Sequence, residues 1–179
     1  HSGGLYYLTD TSKPMFDPSS SPPAYTSTRG AITIMDSRNT PATSNPQDYG
    51  TPYPIASSNP NGGWIPDAVS AAYALSRSYD YYLQRHSRDS WDGDGSKMLA
   101  VVRIGINYNN AYWNSGLRFF GFGDGLSRSL DVCAHEMTHA VISSIGDGGI
   151  LDYQNESGAL NEAFADIFGE CVEAQTKGA

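Results

Sequence analysis

The sequence has 179 residues and a formal net charge of -8, with 19 acidic against 11 basic side chains. That length supports one domain with a real core; the acidic balance argues against a nucleic-acid partner, and no apolar run reaches the length of a membrane span. Abundant Gly, Ser, Asn, Pro and Tyr with scarce Lys suit a loop-rich secreted protein, and His1-Ser-Gly-Gly has neither the charged start nor the apolar core of a signal peptide.

From Gly4 to about Tyr53 the chain reads as short strands broken by turns, with Leu5–Leu8 and Ala31–Met35 as its apolar or alternating runs. Between them Lys13–Pro23 cannot be a regular element, because its prolines remove donors and fix φ. The same holds from Pro41 to Pro66. Asp67–Arg85 is the first clear helix. Pro66 precedes it, Asp67 complements the positive helix end, and Val69, Ala72, Tyr73, Ser76, Tyr79, Tyr82 and Leu83 follow a mostly apolar stripe. Asp92-Gly-Asp-Gly95 lacks the later carboxylate of a calcium loop and reads as a turn.

Met98–Tyr108 reads as one long strand or a strand pair, and Leu117–Gly125 as a further strand ending in a glycine turn. Two readings of the segment between them stay open. An edge here can bind an extended peptide by strand addition, with Asn110 and the Ala111 carbonyl positioning it. Alternatively it is an ordinary hairpin with Tyr112 and Trp113 in the core.

The next segment, Asp131-Val-Cys-Ala-His-Glu-Met-Thr-His139, contains H-E-x-x-H. On a helix, residues i and i+4 share a face about one turn apart, so His135 and His139 can reach one ion. Glu136 lies about 100° round the helix and can approach a water at the metal without binding the metal. Downstream, Glu162, Asp166 and Glu173 fall within about 40° of one stripe on a second helix. An antiparallel pairing with His139 opposite Glu162 puts His135 opposite Asp166 and Asp131 near Glu173. Glu162 is then the third zinc ligand, leaving an open position for water, and Asp166 accepts the free ring N–H of His135. Asp131 and Glu173 would repel unless a hard cation such as calcium sat between them. A solvated acidic face is the plain alternative, but this stripe is of one sign and matches the histidines position for position. Cys133 and Cys171 lie roughly 180–200° round their helices from the stripe and are expected to be separately buried thiols.

With Asn109-Asn-Ala-Tyr-Trp-Asn114, His135-Glu-Met-Thr-His-Ala-Val141 and Tyr153-Gln-Asn-Glu-Ser-Gly-Ala-Leu-Asn-Glu-Ala-Phe-Ala-Asp-Ile-Phe-Gly169 in order, the chain resembles the thermolysin family of neutral zinc metalloendopeptidases. The resemblance implies an α+β fold: a β-rich part over 1–130 with one helix at about 67–86, then the zinc-binding helices over 131–179, antiparallel to each other. It implies zinc on His135, His139 and Glu162, Glu136 as the base, and Asp166 behind His135. By the same resemblance Tyr153 helps hold the oxyanion, Asn110, Ala111 and Trp113 form the peptide-binding edge, and Val132 walls the pocket for the residue after the scissile bond. Asp131, Glu173 and Glu170 match calcium positions. The implied substrate is an internal bond of a peptide or protein on the N-terminal side of an apolar residue. An aminopeptidase would need an acidic site for the free amine, which the Asn-Ala-Tyr-Trp edge does not provide.

Departures are also visible. Gly146–Asp152 looks longer than the family's connection, and Ser57-Ser-Asn59 lacks acids that some relatives carry there. The sequence ends at Ala179, so the family's helical second lobe, with a histidine that contacts the oxyanion, is expected to be absent. His1 and His86 are placed unsuitably to replace that histidine. The alternative is therefore an isolated zinc- and calcium-binding lobe that is inactive without its C-terminal lobe, which a separate chain could supply.

Overall fold

The computed structural model describes residues 3–20, 28–40, 51–146 and 149–178. His1, Pro22 and Pro23, the 41–50 part of the second proline-rich stretch, and residues 147–148 of the Gly146–Asp152 connection lie outside them.

The architecture is α+β. A six-stranded mixed sheet runs in the order β2 (Thr9–Asp10), β3 (Ile32–Asp36), β6 (Met98–Val102), β8 (Phe119–Phe122), β7 (Ala111–Asn114), with β4 (Tyr53–Pro54) also paired to β3. A small ribbon pairs β1 (Tyr6–Tyr7) with β5 (Ala56–Ser57). The β3–β6 and β6–β8 pairs are parallel, which requires a crossover between β3 and β6. Helix α1 (Pro66–His86) lies within it. Strands β3 and β8 are buried throughout and β6 at every position but Leu99, as expected for parallel strands covered on their faces. β7, antiparallel to β8, ends the order and leaves one edge open.

Strands depart from the sequence expectation: β4 and β5 fall inside the Pro41–Pro66 stretch expected to hold no regular element, and the other strands differ in length. The run from Met98 stays in the sheet only to Val102, because Arg103, Gly105 and Asn107 all take positive φ and turn the chain. Arg118, at φ 55°, likewise delays the next strand to Phe119. Asp92–Gly95 is a turn, in which Asp92 Oδ1 accepts the N–H groups of Asp94 and Ser96.

Helix α1 has the expected bounds but a different buried face. Ala68, Ala71, Ala74, Leu75, Ser78, Tyr79 and Tyr82 are buried, whereas Val69 and Tyr73 are exposed. The inward face thus combines the small Ala68, Ala71 and Ala74 with Leu75, Tyr79 and Tyr82, and lies round the helix from the Val69–Tyr73 stripe. At its start, Asp67 is buried and receives Arg128 Nη2 at 2.8 Å. That ion pair fixes the short 3-10 turn Leu126–Arg128, which leads directly into α2 (Leu130–Ser143).

Helix α3 (Asn155–Lys177) lies antiparallel to α2, as the cross-helix neighbours show: His139 with Glu162, His135 with Asp166, and Asp131 with Gly169. The backbones nearly touch at Gly169, where an added Cβ would sit 2.9 Å from the Asp131 carbonyl oxygen. A backbone atom cannot yield as a side chain can. Gly169→Ala should therefore destabilise the fold by about 1–3 kcal/mol, read as a lowered midpoint in chemical denaturation. Tyr82 ties α1 to the same pair by donating to Thr138 Oγ1 at 2.8 Å, while Thr138 donates to the Ala134 carbonyl.

The cysteines are separate and unbonded, but only Cys133 is buried. Cys171 is exposed because its face of α3 turns away from α2, beside Tyr81. His86 packs against Tyr81, Tyr82 and Phe168.

Candidate metal centre

His135 and His139 project from the middle of α2 towards α3. His135 Nδ1 meets Asp166 Oδ1 at 2.9 Å, and His139 Nδ1 meets Asn161 Oδ1 at 2.7 Å. Asn161 Nδ2 faces the Leu151 carbonyl at 3.4 Å, which sets the amide with its oxygen towards the histidine. A carboxylate and an amide oxygen only accept, so in the neutral rings both protons sit on Nδ1. Burial, first among the causes, lowers the pKa of His139 and favours its neutral form. Both Nε2 atoms then carry bare lone pairs, and they face each other at 2.9 Å.

Glu162 completes the arrangement. Its carboxylate oxygens lie 3.3 Å from His135 Nε2 and 3.6 Å from His139 Nε2. Among the described residues this is the group of His, Cys, Asp and Glu donors gathered closely enough to hold an ion, within 4.8 Å of one another. A tetrahedral ion with bonds of about 2.0–2.1 Å separates its ligand atoms by about 3.3 Å, and 2.9, 3.3 and 3.6 Å bracket that value. Two imidazole nitrogens with one carboxylate oxygen also suit zinc chemically. Three such acceptors converging form a group that could hold a cation.

Glu136 stands beside this group. It is 5 % exposed, and its Oε2 has no hydrogen-bond partner. Burial pushes its carboxyl up to about 8; the Trp113 backbone N–H pulls it back, and the Glu162 charge adds to the rise. Tyr153, 68 % exposed, donates its hydroxyl to Glu162 Oε1, and this bond, ahead of desolvation, raises the phenol to about 12. It therefore remains a proton donor at neutral pH.

The group opens into a cleft of about 1040 Å³ that Asn110, Ala111, Trp113 and Val132 also line. The strand alternation at β7 is explicit. The carbonyls of Asn110 and Asn114 accept from Gly123 and Arg118 on the β8 side, so the backbone groups of Ala111 and Trp113 face outward. The Trp113 indole points inward against Trp91 and Phe120, leaving its backbone for the cleft.

Asp131 and Glu170 line the far end of the cleft. Their charges and that of Glu173 all act on Lys177, whose ammonium pairs with Glu173 Oε1 at 2.7 Å. Sequence reasoning missed Asn161. The helix register already placed Glu162 against His139, and the amide one residue earlier was the signal for a second ring partner. Asn161→Ala and Asp166→Ala should each weaken zinc binding about 10–100-fold, measured by competition with a chromogenic chelator.

Two family models match the chain. The thermolysin metallopeptidase catalytic domain matches residues 1–143, and the α-helical domain of the same metallopeptidases matches residues 149–179. The chain belongs to the thermolysin metallopeptidase family. The expected absence of the helical part is thereby narrowed, because the segment carrying Glu162 is matched by the α-helical domain. Bacillolysin from Bacillus cereus is 39% identical over 178 residues, covering 96% of this chain and 27% of that protein. Bacillolysin from Bacillus amyloliquefaciens is 38% identical over 174 residues, covering 93% and 29%. The chain thus spans less than a third of the length of these relatives. Among solved structures, the precursor of protealysin, a metalloproteinase from Serratia proteamaculans, superposes with a TM-score of 0.68 at 27% identity, covering 82% of this chain and 44% of that one. Zinc is the metal that membership in this family implies.

Proposed function

We propose that this chain carries the zinc site of a secreted neutral endopeptidase that cuts internal peptide bonds before apolar residues. The observation that carries this reading is the convergence of two bare imidazole nitrogens and a carboxylate beside a buried, half-unpartnered Glu136. His135, His139 and Glu162 hold the metal; when bound, zinc supplies a Lewis acid that acidifies water and polarises a carbonyl. Glu136 takes the proton from the attacking water and delivers it to the leaving amine. Asp166 and Asn161 hold the two rings with Nε2 towards the metal position. Tyr153 supplies a hydroxyl for the oxyanion once its bond to Glu162 is exchanged.

Ala111 offers outward backbone groups to an extended peptide, Asn110 adds its amide, and Val132 gives an apolar wall for the residue after the cut. The reading includes calcium at Asp131, Glu170 and Glu173, where it would displace Lys177 from Glu173. Secretion fits the loop-rich composition, and among the described residues no helix is long and apolar enough to cross a membrane.

A second reading is a metal-binding lobe that needs a further lobe for turnover. The exposure of Leu160, Phe164 and Ile167 on α3 favours it. Terminally blocked peptides separate the readings. Mass spectrometry should show one cut before an apolar residue and none before an acidic one. Trimming only of unblocked amino ends would overturn the endopeptidase assignment, and stoichiometric zinc without any cut would favour the second reading.

A further inference from the structure

Helix α2 is held to the edge strand β7 by one residue at two points. The Trp113 backbone N–H donates to Glu136. Its indole Nε1–H donates to Ser143 Oγ at 2.9 Å. Glu136 and Ser143 are seven residues apart, so they lie on one stripe of the helix, about two turns from each other. The Ser143 hydroxyl has a single proton, which it gives to the Ala140 carbonyl at 2.8 Å. Towards the indole it is therefore an acceptor only, matching a group that can only donate. The ring itself is fixed by Trp91, with centroids 5.1 Å apart, and by Phe120 at 4.7 Å.

This bracket sets where the open edge of the sheet lies relative to the metal ligands. Ala111 presents its outward N–H and C=O two residues before Trp113 on the same short strand. Moving the indole moves that edge. Ser143 also lines the cleft, yet it takes no part in the proton transfers derived above.

We propose that Ser143 is a positioning residue for substrate: through the Trp113 indole it sets the spacing between the β7 edge and the metal centre, and so the affinity for peptides that pair along that edge. The inference rests on the endopeptidase reading for the nature of the ligand, but it is tested by binding. The probes are two versions of one blocked peptide whose scissile amide is reduced to a non-hydrolysable CH₂–NH link. One keeps its backbone amides, and the other is N-methylated where it would pair with Ala111.

By calorimetry on the zinc-loaded protein, Ser143→Ala should weaken the amide peptide about ten-fold through lost pre-organisation. The N-methylated peptide and zinc itself should bind as before. Ser143→Thr keeps the oxygen and should restore affinity. Trp113→Phe removes the donor from the other side, and the double variant should be no weaker than either single one. Unchanged affinity in Ser143→Ala, equal losses for both peptides, zinc affinity falling in step, or no binding of the amide peptide to the unaltered protein would each overturn the proposal. Binding that shows this pattern, without cleavage of the corresponding ordinary peptide, would support it while removing the endopeptidase reading.

Discussion

Glu136→Gln should lower kcat/KM for a blocked peptide by about 10²–10⁴-fold, the usual contribution of a positioned acid–base group, with zinc binding unchanged. The reason is positional. Glu136 sits next to His135 in sequence and lines the same cleft, but its oxygens are not among the three donors gathered within 4.8 Å of one another. Its Oε2 is buried without a partner, and glutamine keeps the shape of the carboxyl and can still receive the Trp113 N–H. What glutamine lacks is a site for the proton. Stopped-assay kinetics with zinc content measured on the same samples decides the matter: undiminished cleavage with zinc in place would remove Glu136 from the chemistry.

His139→Ala should release the metal. Ligand for ligand, a share of the about 10–16 kcal/mol that zinc sites provide is roughly 3–4 kcal/mol, so zinc affinity should drop on the order of 10²–10³-fold. His139 is the ligand of choice because its other nitrogen is fixed by Asn161 at 2.7 Å and its ring is more buried than the Glu162 carboxylate. Removal also strands the Asn161 amide oxygen. The fold should survive, because the helix pair is held elsewhere, by the close contact at Gly169 and by Tyr82 against Thr138. Equilibrium dialysis against zinc gives the affinity, and circular dichroism reports the helices.

The placing of His135, His139, Glu162 and Asp166 was legible because one rule, the helical period, governs all four. Once two helices are antiparallel, a single register sets every cross-helix pair. Asn161 follows the same register but lies off the acidic stripe, so a search for charge passes over it. The Trp113–Ser143 bond joins a strand to a helix end thirty residues away, and no period in either segment encodes that distance. The buried face of α1 was also misread. Val69 and Tyr73 were the expected inward residues, but they are exposed, and the helix instead buries Ala68, Ala71 and Ala74 together with Leu75, Tyr79 and Tyr82. Strand ends at Val102 and Phe119 were hidden because Arg103, Asn107 and Arg118 adopt positive φ without being glycine, a choice made by tertiary context.

The most direct measurement is hydrolysis of a blocked peptide with an apolar leaving-side residue, followed through chelation and zinc replacement on one sample. The account predicts turnover that stops when the chelator strips His135, His139 and Glu162 and returns when zinc is restored. Turnover that continues after the metal is removed would contradict it.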